Sequence, residues 1–276
     1  MRPLHLCCAL ALAAALAAPA AAADYAEPAE VLRGTYQGEP LLDEVVPWQG
    51  LYVGAFAGYA QGDFGFRNAV ADPIAHILRH TVLEAEYHPS QWLAIRDAKS
   101  RSATFGAFAG FNYQVDEVVF GIEADWTRGS LHATSSDTIA RSVGLSTGRR
   151  AEVYLAGSAT AELEDYGTLR ARIGYTSGPF MPYVTGGLAI GHGQFTRAVR
   201  VVDQEFIGTQ PAGYLDETYS KTKSLIVAGF AAGVGVDVAV TQNVFLRGEY
   251  QYVYFDSFEG NKFHVNTVRG AAGVRW

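Results

Sequence analysis

The chain has 276 residues, a formal net charge of −7, 30 glycines, 12% aromatic residues and two cysteines. An acidic chain has no electrostatic case for nucleic acid, and the length suits one large domain or two small ones. Beyond the first two dozen residues no apolar run reaches the roughly 20 residues of a spanning helix, so entry into a membrane would require a closed barrel, because lipid offers unpaired backbone groups no partner.

Residues 1–23 carry Arg2, an apolar run from Leu4 to Ala18, and four consecutive alanines. This is the pattern of a secretory signal peptide, with cleavage expected between Ala23 and Asp24. Cys7 and Cys8 lie inside the apolar run and would leave with it, so the mature chain needs no disulfide. Residues 24–47 are acidic and Pro-containing and read as a periplasmic leader. From Trp48 to Trp276 segments rich in Gly, Ala, Val and aromatics alternate with polar ones, which marks one all-β domain.

Eight strands are expected, at 51–66, 103–115, 118–133, 167–176, 180–195, 224–239, 244–255 and 263–276. Most match or exceed the roughly 9–11 residues of a tilted spanning strand. The connections 116–117, 177–179 and 240–243 are short; 67–102, 134–166 and 196–223 are long, and 256–262 is intermediate. Short turns alternating with longer loops are the signature of a transmembrane antiparallel up-and-down β-barrel, with both termini and the short turns in the periplasm.

Alternation supports this. Phe120, Ile122 and Trp126 share one parity while Glu123 and Asp125 take the other. Leu169 and Ile173 oppose Arg170 and Arg172; Phe230 and Val234 oppose Asp237; Leu246, Tyr250 and Tyr252 oppose Arg247 and Glu249; Val268, Val274 and Trp276 oppose Arg269 and Arg275. Apolar residues on one parity and charges on the other fit lipid outside and a polar lumen. The first two strands are too rich in Gly, Ala and aromatics on both faces to assign.

Several stretches match a known family. Residues 48–64 (WQGLYVGAFAGYAQGDF), 105–114 (FGAFAGFNYQ), 120–126 (FGIEADW), 169–175 (LRARIGY), 182–191 (PYVTGGLAIG) and 264–276 (HVNTVRGAAGVRW) resemble successive strands of the small outer-membrane proteins of alphaproteobacteria. That group includes the major surface antigens of Brucella and the haem-binding surface proteins of Bartonella. The resemblance implies a bacterial outer-membrane location. It also implies that the end of the chain, Val274 and Trp276, is an assembly signal for the outer-membrane insertion machinery. The family usually closes on Phe, whereas this chain closes on Trp, which also suits the aromatic girdle of the membrane interface.

The inward parity gathers Glu123, Asp125, Asp237 and Glu249 with Arg170, Arg172, Arg247, Arg269 and Arg275. These charges form either a plug of ion pairs or an ion-selective constriction. An eight-stranded barrel is just wide enough to be filled by its own side chains, which favours the plug. In the first long loop His76, His80, Glu84 and His88 follow at four-residue steps. On one helix they would form a stripe able to ligate a transition metal or haem, or simply the solvated face of a helix starting near Asp72-Pro73. No catalytic grouping and no required cofactor emerges, and Gly229, Gly233 and Gly235 lie in a strand rather than at a phosphate-binding turn. The expected role is a structural, surface-exposed barrel whose partners are outer-membrane lipids and lipopolysaccharide. Its loops would face an extracellular ligand or host surface; a small channel and a haem or metal receptor are the alternatives.

Overall fold

The computed structural model describes residues 47–67, 69–258 and 261–276. The expected signal peptide, its Ala23/Asp24 cleavage site and all of the leader but Pro47 lie outside these. Eight antiparallel strands run in chain order: β1 (Gly50–Phe64), β2 (Ala98–Val115), β3 (Val118–Gly144), β4 (Arg150–Tyr175), β5 (Phe180–Ile207), β6 (Gln210–Ala239), β7 (Val244–Phe258) and β8 (Asn261–Arg275). Each pairs with its neighbour, and β8 pairs back onto β1 from Tyr52↔Arg275 to Phe64↔Phe263, closing the barrel. Closure satisfies every backbone group that faces lipid. The short connections are found where the sequence placed them; the Asp116-Glu117 turn takes a left-handed residue at Asp116 (φ 53°).

Two of the expected loops are not loops. Residues 134–166 and 196–223 continue the barrel strands as long hairpins that turn only at 145–149 and 208–209. The β2–β3 ladder ends at Arg128, yet β3 climbs on to Gly144, roughly 50 Å farther along the strand at ~3.3 Å per residue. Strands β3 to β6 thus form a four-stranded extracellular sheet standing above the barrel. The first strand is shorter than expected, ending at Phe64, and the second begins earlier, at Ala98.

Burial explains the misreading. In the barrel the outward residues are apolar and exposed, such as Ile122, Leu169, Ile226 and Phe230. The two unassigned strands follow suit: Leu51, Val53, Phe105 and Phe111 point out, while Tyr52, Phe56, Phe108 and Asn112 are buried inside. In the extension the sense reverses. Val153, Leu155, Ala159, Ala161, Leu163, Phe195, Val199 and Val201 are buried on the inner face, and Glu152, Tyr154 and Arg200 are exposed on the outer one. The extension is built for water, the barrel for lipid. In β4 the change includes a bulge: the register skips Glu164 between Leu163 and Asp165. Odd residues face inward above it and even ones, from Tyr166 through Thr168 and Arg170 to Arg172, below it. One inserted residue flips every side chain beyond it to the other face.

The β1–β2 connection covers this inner apolar face. It holds α1 (Ala71–Leu78), α2 (Val82–Tyr87) and a 3₁₀ turn (Pro89–Gln91). Val70, Ile74, Leu78, Leu83 and Leu93 are buried in one cluster with Leu155, Ala159, Val199 and Phe255. Each fully buried aliphatic side chain contributes about 1.5–3 kcal/mol, enough together to hold a connection with few long-range hydrogen bonds of its own.

Candidate functional site

The waist of the barrel holds a closed ionic network. Arg170, with no exposed side-chain surface, donates from Nη2 to Glu123 Oε1 (2.7 Å) and Asp125 Oδ2 (2.8 Å), and from Nη1 to Glu249 and to Thr185 Oγ1 (3.0 Å). Arg247 clamps Asp237 with Nε (2.7 Å) and Nη2 (3.0 Å) and reaches Glu123 Oε2 with Nη1 (2.6 Å). Arg172 donates to Asp237 Oδ2 (2.8 Å), and Arg269 to Asp125 Oδ2 (3.2 Å) and Glu249 Oε1 (3.0 Å). Tyr52 and Tyr183 hydroxyls donate to Glu123 (2.9 Å) and Glu249 (2.7 Å), and Thr168 donates to Asp125 (2.7 Å). Four guanidinium groups meet four carboxylates, so the cluster carries no net charge. Each acid draws from more than one strand, so the network ties β3, β4, β6, β7 and β8 across the lumen. Desolvating these charges costs several kcal/mol per ion, which only multiple charge-assisted hydrogen bonds offset. The space for the guanidinium of Arg170 comes from a glycine: a Cβ on Gly233 would stand 2.7 Å from Thr185 Oγ1 and 3.1 Å from Arg170 Nη1.

Eight of the nine expected interior charges are thus brought together. Arg275 is not. It is buried at the periplasmic mouth, where Nε donates to the Gln242 carbonyl (2.8 Å) and its guanidinium lies 4.3 Å over the Trp48 ring. Aromatic residues that the sequence reading left aside close that mouth. Trp48, Tyr52, Phe56, Phe108 and Phe245 form a buried cluster, with Trp48 edge-on to Phe245 at 6.2 Å. Trp48 is fixed by its backbone N–H to Gln114 Oε1 (2.8 Å) and by Asn112 Nδ2 to its carbonyl (3.2 Å). Facing aromatics on three strands, interleaved with glycine, were the available signal. Toward the extracellular side Phe64, Phe66, Phe255 and Phe263 stack above the network.

Trp276 leaves its ring on the outer surface beside Leu51, Val53, Phe111, Ile122 and Leu169, with Val274 also exposed on that face. Its N–H donates to the Leu51 carbonyl (2.9 Å), and Gly50 makes this seat: at φ +123° a Cβ there would lie 1.9 Å from the Trp276 carbonyl oxygen.

The histidine stripe does not form. The helix ends at Leu78, and Thr81 starts a second one by accepting from the Glu84 N–H (3.1 Å). His76 therefore sits on α1, His80 in the break, Glu84 on α2 and His88 in a left-handed cap (φ 48°). Glu84 is spent on Ser90, and His76 contacts Arg79. Among the described residues no three His, Cys, Asp or Glu side chains are grouped to hold a metal ion.

One titratable group in the extension stands apart. Asp203, buried on the inner face of β5, has its carboxyl pushed up to about 6, first by burial and then by the Glu205 charge. A raised folded value means the folded sheet prefers the protonated acid, so stability falls as pH rises from about 4 to 6 and is flat above. Asp203→Asn should tighten the hairpin tip at pH 7 by about 1 kcal/mol and abolish this pH dependence, read by hydrogen exchange of β5 and β6 amides. A variant as pH-dependent as the wild type would refute it.

Residues 8–275 match the model of the outer membrane protein beta-barrel domain. The 31 kDa outer-membrane immunogenic protein of Brucella melitensis is 30% identical over 234 residues, covering 80% of this chain and 81% of that one. The 25 kDa outer-membrane immunogenic protein of Brucella ovis is 27% identical over 240 residues, 86% of this chain and 84% of that protein. The 22 kDa outer membrane protein of Rhizobium leguminosarum is 26% identical over 239 residues, 83% and 78%. With the closed eight-stranded ring and its lipid-facing belt, these matches settle the placement: the chain belongs to the outer membrane protein β-barrel family, in its alphaproteobacterial group, and resides in the outer membrane.

Proposed function

We propose that this protein is a non-conducting structural barrel that anchors a rigid extracellular sheet in the outer membrane. The observation that carries this reading is the neutral ionic network at the waist, whose side chains have essentially no exposed surface. Aromatic packing below it and the apolar cluster above it add two more buried layers across the lumen. The exposed belt provides contact with lipid, and the outward side chains at the membrane edge suit lipopolysaccharide. Val274 and Trp276, exposed on the last strand, are what the insertion machinery would read. Planar-bilayer recording tests the closure. Purified, refolded protein should give no steady conductance, and a stable open level at neutral pH would overturn the plug in favour of a small channel.

A further inference from the structure

The four-stranded extension has two outer edges, and they are treated differently. The β3 edge is covered by the β1–β2 connection. Ala94 N–H donates to Asp137 (2.7 Å) and the Tyr87 hydroxyl to the Gly144 carbonyl (2.6 Å), while His132 N–H donates to Ser100 Oγ at the start of β2 (3.0 Å). The β6 edge is bare. β7 pairs with β6 only from Gly229 to Ala239, and among the described residues no strand lies alongside 210–224 on that side. This stretch has no proline beyond Pro211 and almost all of its side chains are exposed. An unpaired strand edge is a template for another strand.

We infer that the bare β6 edge pairs antiparallel with the same edge of a second copy, about a two-fold axis at Tyr219. Directly opposite residues of an antiparallel pair share a face, so a two-fold axis must pass through one residue and its own symmetry mate. With the axis at Tyr219, Glu217 faces Lys221 of the second copy, Lys221 faces Glu217, and Thr218 faces Ser220. Both charged residues are exposed, and among the described residues neither has an ion pair within its own chain. Shifting the axis to Thr218 sets Leu215 against Lys221 and leaves the charges unmatched. Shifting it to Ser220 demands Lys223, which already interacts within its own chain. The contact is isologous and closes on itself, so it yields pairs and not fibres.

The geometry also fixes where the second copy sits. β6 descends toward the membrane. Copies related by rotation about the membrane normal keep that descent and cannot set β6 antiparallel to β6. The axis that reverses the strand reverses the membrane normal as well. The pair therefore bridges two facing membranes, which makes the extension a homotypic contact between cells or vesicles.

Phosphatidylcholine vesicles carrying the refolded full chain, formed by detergent removal so that part of the protein faces outward, provide the test. Dynamic light scattering should show wild-type vesicles clustering where protein-free vesicles do not. Glu217→Lys and Lys221→Glu each place like charges opposite one another twice per pair. Each should cut the clustering rate about tenfold on its own, while a mixture of the two vesicle populations restores it. The folded, unheated gel mobility of each variant confirms an intact barrel. Dispersed wild-type vesicles, single variants that cluster like the wild type, or a mixture no better than its components would each overturn the inference.

Discussion

Arg170→Met is expected to destabilise the barrel by about 3–5 kcal/mol, because it removes one cation that three carboxylates share in a desolvated lumen. Glu123, Asp125 and Glu249 all take hydrogen bonds from this single guanidinium. Arg247 and Arg269 still reach them, but the cluster then carries one uncompensated negative charge among side chains with essentially no exposed surface. The measurement is denaturant unfolding of the refolded protein in detergent, followed by tryptophan fluorescence and by the unheated gel shift. Arg200→Ala serves as the comparison. It breaks an exposed pair in which Arg200 lowers the Asp216 carboxyl through hydrogen bonds of 2.8 and 3.0 Å, and it should leave the midpoint unchanged. If Arg170→Met moves the midpoint no more than Arg200→Ala does, the network is not what holds the strands around the lumen.

Leu78→Asp should release the roof of the extension without opening the barrel. Leu78 is fully buried at the end of α1, in a cluster whose other walls are β4, β5 and the 3₁₀-linked segment around Leu93. Burying an unpaired carboxylate there costs more than the helices gain by docking, so the loop should leave the inner face. The expected result is rapid trypsin cleavage at Arg79 and Arg96 on intact cells, at least tenfold faster than in the wild type, while the barrel keeps its unheated gel mobility. Loss of that mobility would mean that roof and barrel fold as one unit, and would overturn this prediction.

The barrel was legible because lipid imposes one rule over a fixed length. Strands such as 118–128 and 244–252 alternate cleanly, and the three tight turns stand out between them. The charged parity alone singles out eight members of the network. What stayed hidden lay where the solvent changes. Above the membrane the same inward positions become Val153, Leu155, Val199 and Val201, and the extra residue Glu164 rephases β4. A reader who looks for apolar residues facing out then meets them facing in, and hears loop where there is strand. Arg275 shares the inward parity of Arg269 yet lies at the mouth, because alternation reports the face of a residue and not its depth. The four-step histidine spacing failed for a local reason: Thr81 is a better start for a new helix than a continuation of the old one.

The long hairpins set how this molecule's exposed part can change. A loop tolerates insertions, since its closure entropy grows slowly with length. A paired strand does not, since each added residue turns its successors inside out. From β3 to β6 the part above the membrane is two short turns and a sheet. Its outward face is therefore free to drift by exchange of one side chain for another, while its length is held nearly constant by the register beneath.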